Sequence, residues 1–220
     1  MKKILFFAWI SMFALASQAQ IVTSRSQSIE QTPEVKEPSQ SWSCLFLEYS
    51  PVTFSYTGDL SSFDSWSLNA LSVGSASHTS LADAIPLFFD YSFVAQFTFG
   101  EPKYSNADYF LISYRMPLGI SYAFDIPNTP IQIIPNTGID LRLNILAQAK
   151  TSAGTTNLMD KKDMGSSEAA WNIFQVGAHI GFDVRFWKKM IVGVQYQTDF
   201  METAKDMKWS QVNLKLGVSF

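Results

Sequence analysis

Residues 109–125 read YFLISYRMPLGISYAFD. From Phe110 onward every second residue is apolar: Phe110, Ile112, Tyr114, Met116, Leu118, Ile120, Tyr122 and Phe124. The positions between them include Ser113, Arg115, Gly119 and Ser121. An extended chain turns successive side chains to opposite faces, so this stretch is a strand with one oily and one polar side. Arg115 stands on the polar side. Whether that side meets water outside or a closed interior decides the fold.

The same period recurs along the chain. Residues 86–100, PLFFDYSFVAQFTFG, align Leu87, Phe89, Tyr91, Phe93, Ala95, Phe97 and Phe99 against Asp90, Ser92, Gln96 and Thr98. In 131–148, IQIIPNTGIDLRLNILAQ, Ile131, Ile133, Ile139, Leu141, Leu143 and Ile145 oppose Gln132, Asn136, Gly138, Asp140, Arg142 and Asn144. Residues 172–186 and 190–200 continue it, and the chain stops mid-pattern with Val212, Leu214, Leu216, Val218 and Phe220. Two earlier strands, near 43–56 and 66–77, are less regular. Leu45, Leu47 and Tyr49 give way to Val52, Phe54 and Tyr56, a phase slip at Ser50-Pro51 for which a bulge is expected. Pro51, Pro117 and Pro135 also call for bulges or rim positions, because proline cannot donate to a ladder.

The N-terminus indicates export. Lys2-Lys3, the apolar run Ile4 to Ala16 and Ser17-Gln18-Ala19 form a secretory signal peptide over 1–19. Residues 20–41 are polar and aperiodic, and read as a flexible periplasmic lead-in to a barrel over 42–220. Removing Lys2 and Lys3 leaves 16 − 2 = 14 basic residues against 19 acidic ones, a net charge of −5. No basic cluster invites nucleic acid. The single Cys44 excludes an intramolecular disulfide. Beyond the signal no apolar run is long enough for a membrane helix. An exported chain without one can still enter a bilayer as a closed barrel.

Charge content chooses between a soluble and a membrane barrel. Only 16% of residues are charged, against roughly 25% in globular domains. From the third strand onward no charge falls in phase with the apolar rows, as expected of a lipid-facing surface. The opposite face carries glycines together with Glu48, Asp90, Asp140, Asp183 and Asp199, and with Arg115, Arg142, Arg185 and Lys215. Eight strands enclose just enough room for side chains to fill. The expectation is an ionic lumen network of those nine residues and His179. Trp42, Trp66, Trp171, Trp187 and Trp209 fall at strand ends, the levels of an interfacial aromatic belt. Connections alternate between longer polar segments (57–65, 100–108, 149–170 and 201–208) and tight ones (78–85, 125–130 and 187–190).

The signal peptide, the eight alternating segments and a last strand ending on Phe220 resemble small bacterial outer-membrane β-barrels of the OmpA/OmpX kind. The resemblance covers about residues 42–220. It implies an all-β, eight-stranded antiparallel up-and-down transmembrane β-barrel in the outer membrane, with lipid as its surroundings. It also implies that Val212, Leu214, Leu216, Val218 and Phe220 are read as a signal by the barrel-assembly machinery.

Catalysis finds little purchase in the sequence. His78-Thr79-Ser80 has the His-x-Ser spacing of lipid A deacylases, which place it near the outer surface; His78 falls instead near an expected periplasmic turn. His179, four residues before Asp183, is read as a member of the lumen network rather than a base. No metal or cofactor motif occurs. The long segment AKTSAGTTNLMDKKDMGSSEA (149–169), with Lys150, Asp160, Lys161, Lys162 and Asp163, reads as an exposed mobile loop of unknown ligand. The function expected is a non-enzymatic barrel with a structural or loop-display role, the alternative being a narrow channel for small solutes.

Overall fold

Alternation becomes strand in the computed structural model of the chain, which describes residues 40–82, 85–103, 105–167 and 170–220. The elements are β1 (Trp42–Tyr56), β2 (Trp66–Ser80), β3 (Leu87–Gly100), β4 (Asp108–Tyr122), β5 (Phe124–Asp125), β6 (Ile131–Thr151), β7 (Gly154–Asn157), β8 (Phe174–Phe186), β9 (Met190–Asp199) and β10 (Met207–Ser219). The pieces β5 and β7 are short additions that pair with β6. The other eight strands form an antiparallel up-and-down barrel, closed where β10 returns to β1. The expected signal peptide and residues 20–39 of the lead-in lie outside the described residues.

Closure engages Phe220. Ser43 N–H donates to Phe220 O at 3.0 Å, and Phe220 N–H donates back to Ser43 O at 2.9 Å. The last residue is therefore a rung of the seam. Among the described residues the eight barrel strands leave no free edge, and their ladder groups pair within the sheet except beside the prolines, as a lipid surface requires.

The three prolines fit without the expected bulges. Pro51 stays opposite Asn69 of β2, while the pairing of β1 with β10 passes over residues 50 and 51. Pro117 stays opposite Asp140 and is passed over by β3. Pro135 stays opposite Phe182, beyond the end of the β4 pairing. Each proline thus opens the ladder on one side only, where its missing N–H would have pointed. The bulge lies elsewhere. Ile112 faces Leu146 but Ser113 faces Asn144, so β6 carries one extra residue there.

The expected slip in β1 is likewise absent. Tyr49 opposite Leu214 and Val52 opposite Gln211 belong to one continuous register. Keeping register carries Val52 and Phe54 onto the same face as Glu48 and Ser50, so they turn into the barrel and are fully buried. Outside, the oily rows form a girdle: Leu47, Leu71, Phe93, Ile120, Ile139, Ile180, Val192 and Leu216 are all exposed. Arg115 and Arg142, each 1% exposed, lie within. This is the inverse of a water-soluble barrel.

Candidate functional site: a layered lumen and a loop-end cup

The polar face builds an ionic layer across the middle of the barrel. Arg115 pairs with Glu48 and donates through Nη1 to Gln197 Oε1 at 2.7 Å. Arg142 pairs with Asp199. Lys215 Nζ lies 3.2 Å from Asp183 Oδ2. Asp183, Gly193 and Lys215 are register partners on three successive strands, and the Asp183 carboxylate crosses the space a side chain on Gly193 would fill. The remaining two carboxylates take histidines: His179 Nδ1 is 2.6 Å from Asp140 Oδ2, and His78 Nδ1 is 2.7 Å from Asp90 Oδ1. Among the described residues Arg185 meets no carboxylate within ion-pair range. It donates to Ser219 Oγ, Gln132 Oε1 and Lys188 O, and its guanidinium sits 4.2 Å from the Trp42 ring centroid.

All ten expected network residues line the interior, and sequence reasoning missed several others. His78 belongs to the network, stacked on Trp42 with ring centroids 3.6 Å apart. Amide side chains link the ion pairs: Gln96 donates to Gln211 Oε1 at 3.0 Å, Gln211 to Gln197 Oε1 at 3.0 Å, and Asn213 to Gln195 Oε1 at 3.1 Å. Their alternation with Val212 and Leu214 was a usable signal.

The interior is not polar throughout, which corrects the expected plug. Trp42, Cys44, Phe46, Phe88, Val94, Ile134 and Ile191 form an apolar cluster toward the short-turn end. Val52, Phe54, Leu68, Leu111, Met207 and Trp209 form another toward the loops. The Glu48–Arg115 and Arg142–Asp199 pairs lie between the two clusters, whereas the His78–Asp90 pair and Arg185 sit at the level of Trp42.

The tryptophan belt is also corrected. Trp42, Trp171 and Trp209 are buried, and Trp66 is half-buried against Phe54 at 4.1 Å between centroids. Trp187 alone of the five looks outward, 64% exposed in the β8–β9 turn. Strand-end position did not specify the face. Phase did: Trp42 shares the parity of Glu48, and Trp209 that of Gln211. Inside a narrow barrel their rings cover guanidinium groups and plug the ends, a use of amphipathic aromatics other than at a membrane boundary.

Above the outer apolar layer the four long connections enclose a cup of about 840 Å3. Its wall carries Tyr56, Phe63, Trp66, Tyr109, Trp171 and Met164, with Asp64, Lys205 and Asp206 as charged members. The long 149–169 segment, expected as an exposed loop, supplies part of it. The chain pairs back on itself as β7, and Leu158 N–H donates to Ala147 O at 2.9 Å. Trp171 N–H donates to Leu158 O at 2.9 Å, which buries both side chains in the floor. A volume in this range suits a small ligand.

No family model matches the chain, and comparison with curated protein sequences finds no match. Solved structures do resemble it. Neisserial surface protein A, NspA, is 12% identical with a TM-score of 0.49, over 80% of this chain and 95% of that one. Ail, the attachment invasion locus protein of Yersinia pestis, in complex with the heparin analogue sucrose octasulfate, is 11% identical with a TM-score of 0.49, over 82% and 99%. The outer membrane enzyme PagL is 13% identical with a TM-score of 0.45, over 78% and 98%. The likeness is one of fold.

Proposed function

We propose that the chain is an integral outer-membrane barrel that holds a binding cup at the cell surface and conducts nothing through its lumen. One observation supports this reading: an oily outer girdle surrounds an interior filled by ionic pairs and two apolar clusters, while the four long connections leave a cup open above them. The girdle suits hydrocarbon, and the cup sits where ligands from outside arrive. Binding rather than catalysis fits the two histidines. Each is buried in the lumen against a carboxylate, away from the cup lining. During biogenesis the segment Val212 to Phe220 is the part the assembly machinery reads.

The test combines cell fractionation with gel mobility. The native protein should sediment with outer membranes and migrate differently boiled and unboiled. A chain found among soluble periplasmic proteins, with one mobility in both conditions, overturns the membrane reading. A steady single-channel current from the purified barrel overturns the sealed-lumen reading and restores the channel alternative.

A further inference from the structure

From the chemistry of its wall, we infer that the loop-end cup selects a small amphipathic organic cation; this rests on the binding role proposed above. The wall includes the rings of Tyr56, Trp66 and Tyr109, with Trp66 and Tyr109 centroids 5.1 Å apart. Aromatic faces carry negative quadrupole charge and attract alkylammonium groups, most strongly where water is excluded. Beneath them Phe54, Trp171 and Trp209 pack ring to ring, so an apolar body entering the cup meets an apolar floor.

Charge sets the sign. Asp64 and Asp206 line the cup, and among the described residues neither carboxylate makes a hydrogen bond or ion pair. Asp206 is held in place through its backbone: its N–H donates to Glu202 Oε2 at 3.1 Å, and its carbonyl accepts from Thr57 N–H at 2.8 Å. Its left-handed backbone, φ 57°, and Gly58 at φ 60° bring the carboxylate against Gly58. Lys205 also lines the cup but has an interaction of its own. Two carboxylates without a partner among the described residues, beside aromatic walls, favour a positive ligand, disfavour an anion and leave a neutral one with only the apolar contact.

The experiment uses three probes of one chain length: hexyltrimethylammonium, hexanol and hexyl sulfate. Each is titrated into the full barrel in a maltoside detergent while tryptophan emission is followed. The ammonium probe should bind about tenfold or more tighter than either other probe, the range a partly desolvated cation–π contact with a nearby carboxylate supplies. In Asp64→Asn/Asp206→Asn the preference should fall to about threefold or less, with hexanol binding unchanged. Phe63→Ala, at an exposed wall position that leaves the floor intact, should weaken all three probes. Equal affinities for the three probes overturn the cation inference and leave the cup as a binding site. Failure of all three to bind overturns the cup reading itself.

Discussion

The Arg142 guanidinium lies 3.7 Å from the ring centroid of Trp209, on the boundary between the ionic layer and the outer apolar layer. Trp209 packs edge-on against Phe54 at 4.9 Å and donates through Nε1 to Gln211 Oε1 at 2.8 Å. Arg142 in turn pairs with Asp199. The cup floor, the amide chain and the ion pairs are therefore one packed body, and a change at any member is felt by the others.

Arg142→Met should accordingly destabilise the barrel by about 3–5 kcal/mol, because it leaves Asp199 buried without a partner. Replacing both, as Arg142→Met/Asp199→Leu, should recover most of that loss. Urea unfolding of the detergent-refolded barrel, read by the gel shift between folded and unfolded forms, gives both values. A double variant no more stable than the single one would show that Arg142 acts through Trp209 and not through Asp199.

Much of this arrangement was legible before the structure. Strict alternation placed the later barrel strands, though not the short β5 and β7, and the absence of charge from one face identified the side turned outward. The ten network residues followed from the same phase. Three things were hidden, each for a physical reason. Val52 and Phe54 mimic a slip because apolar side chains suit lipid as well as the oily clusters that a barrel this narrow holds inside. Height along a strand does not tell which way a tryptophan faces; parity does. The cup joins residues from four connections far apart in sequence, such as Phe63 and Trp171, and no local period reports that meeting.

Gly74 shows how tightly the apolar cluster at the short-turn end is fitted. Its register partner is Phe46, and a Cβ on Gly74 would come within 2.6 Å of the Phe46 ring and 2.9 Å of Phe93 O. Gly74→Ala should therefore cost about 1–3 kcal/mol, as overpacking does. Phe46→Leu added to it should return part of the loss by freeing the space beside the new methyl. The same unfolding measurement decides: additive losses in the double variant would mean that the Phe93 backbone, not the Phe46 ring, is the obstacle.

The girdle makes a prediction about depth. Leu47 points outward near the middle of β1 and is 62% exposed, while Ser55 points outward near its loop end beside Lys208 of β10. In lipid vesicles Leu47→Arg should cost about 2–4 kcal/mol, the penalty for a cation at mid-bilayer. Ser55→Arg should cost about 0–1 kcal/mol, since its side chain reaches the polar interface. Equal penalties at the two sites would mean that the hydrocarbon boundary does not fall between them.

Three layers in series also predict how the lumen responds to mutation. If the Glu48–Arg115 pair alone blocked the barrel, Glu48→Gln would open a conducting path. Here the path would still meet Phe46 and Ile191 on one side, and Phe54 and Trp209 on the other. Apolar constrictions exclude ions by dewetting, without any charge across them. Glu48→Gln/Arg115→Met should therefore remain silent in planar-bilayer recordings. Phe46→Ala, Phe54→Ala and Trp209→Ala added to it should give detectable current, because each removes an aromatic ring from a plug. Current from the charge variant alone would locate the seal in the ionic layer and make the oily layers permeable to water.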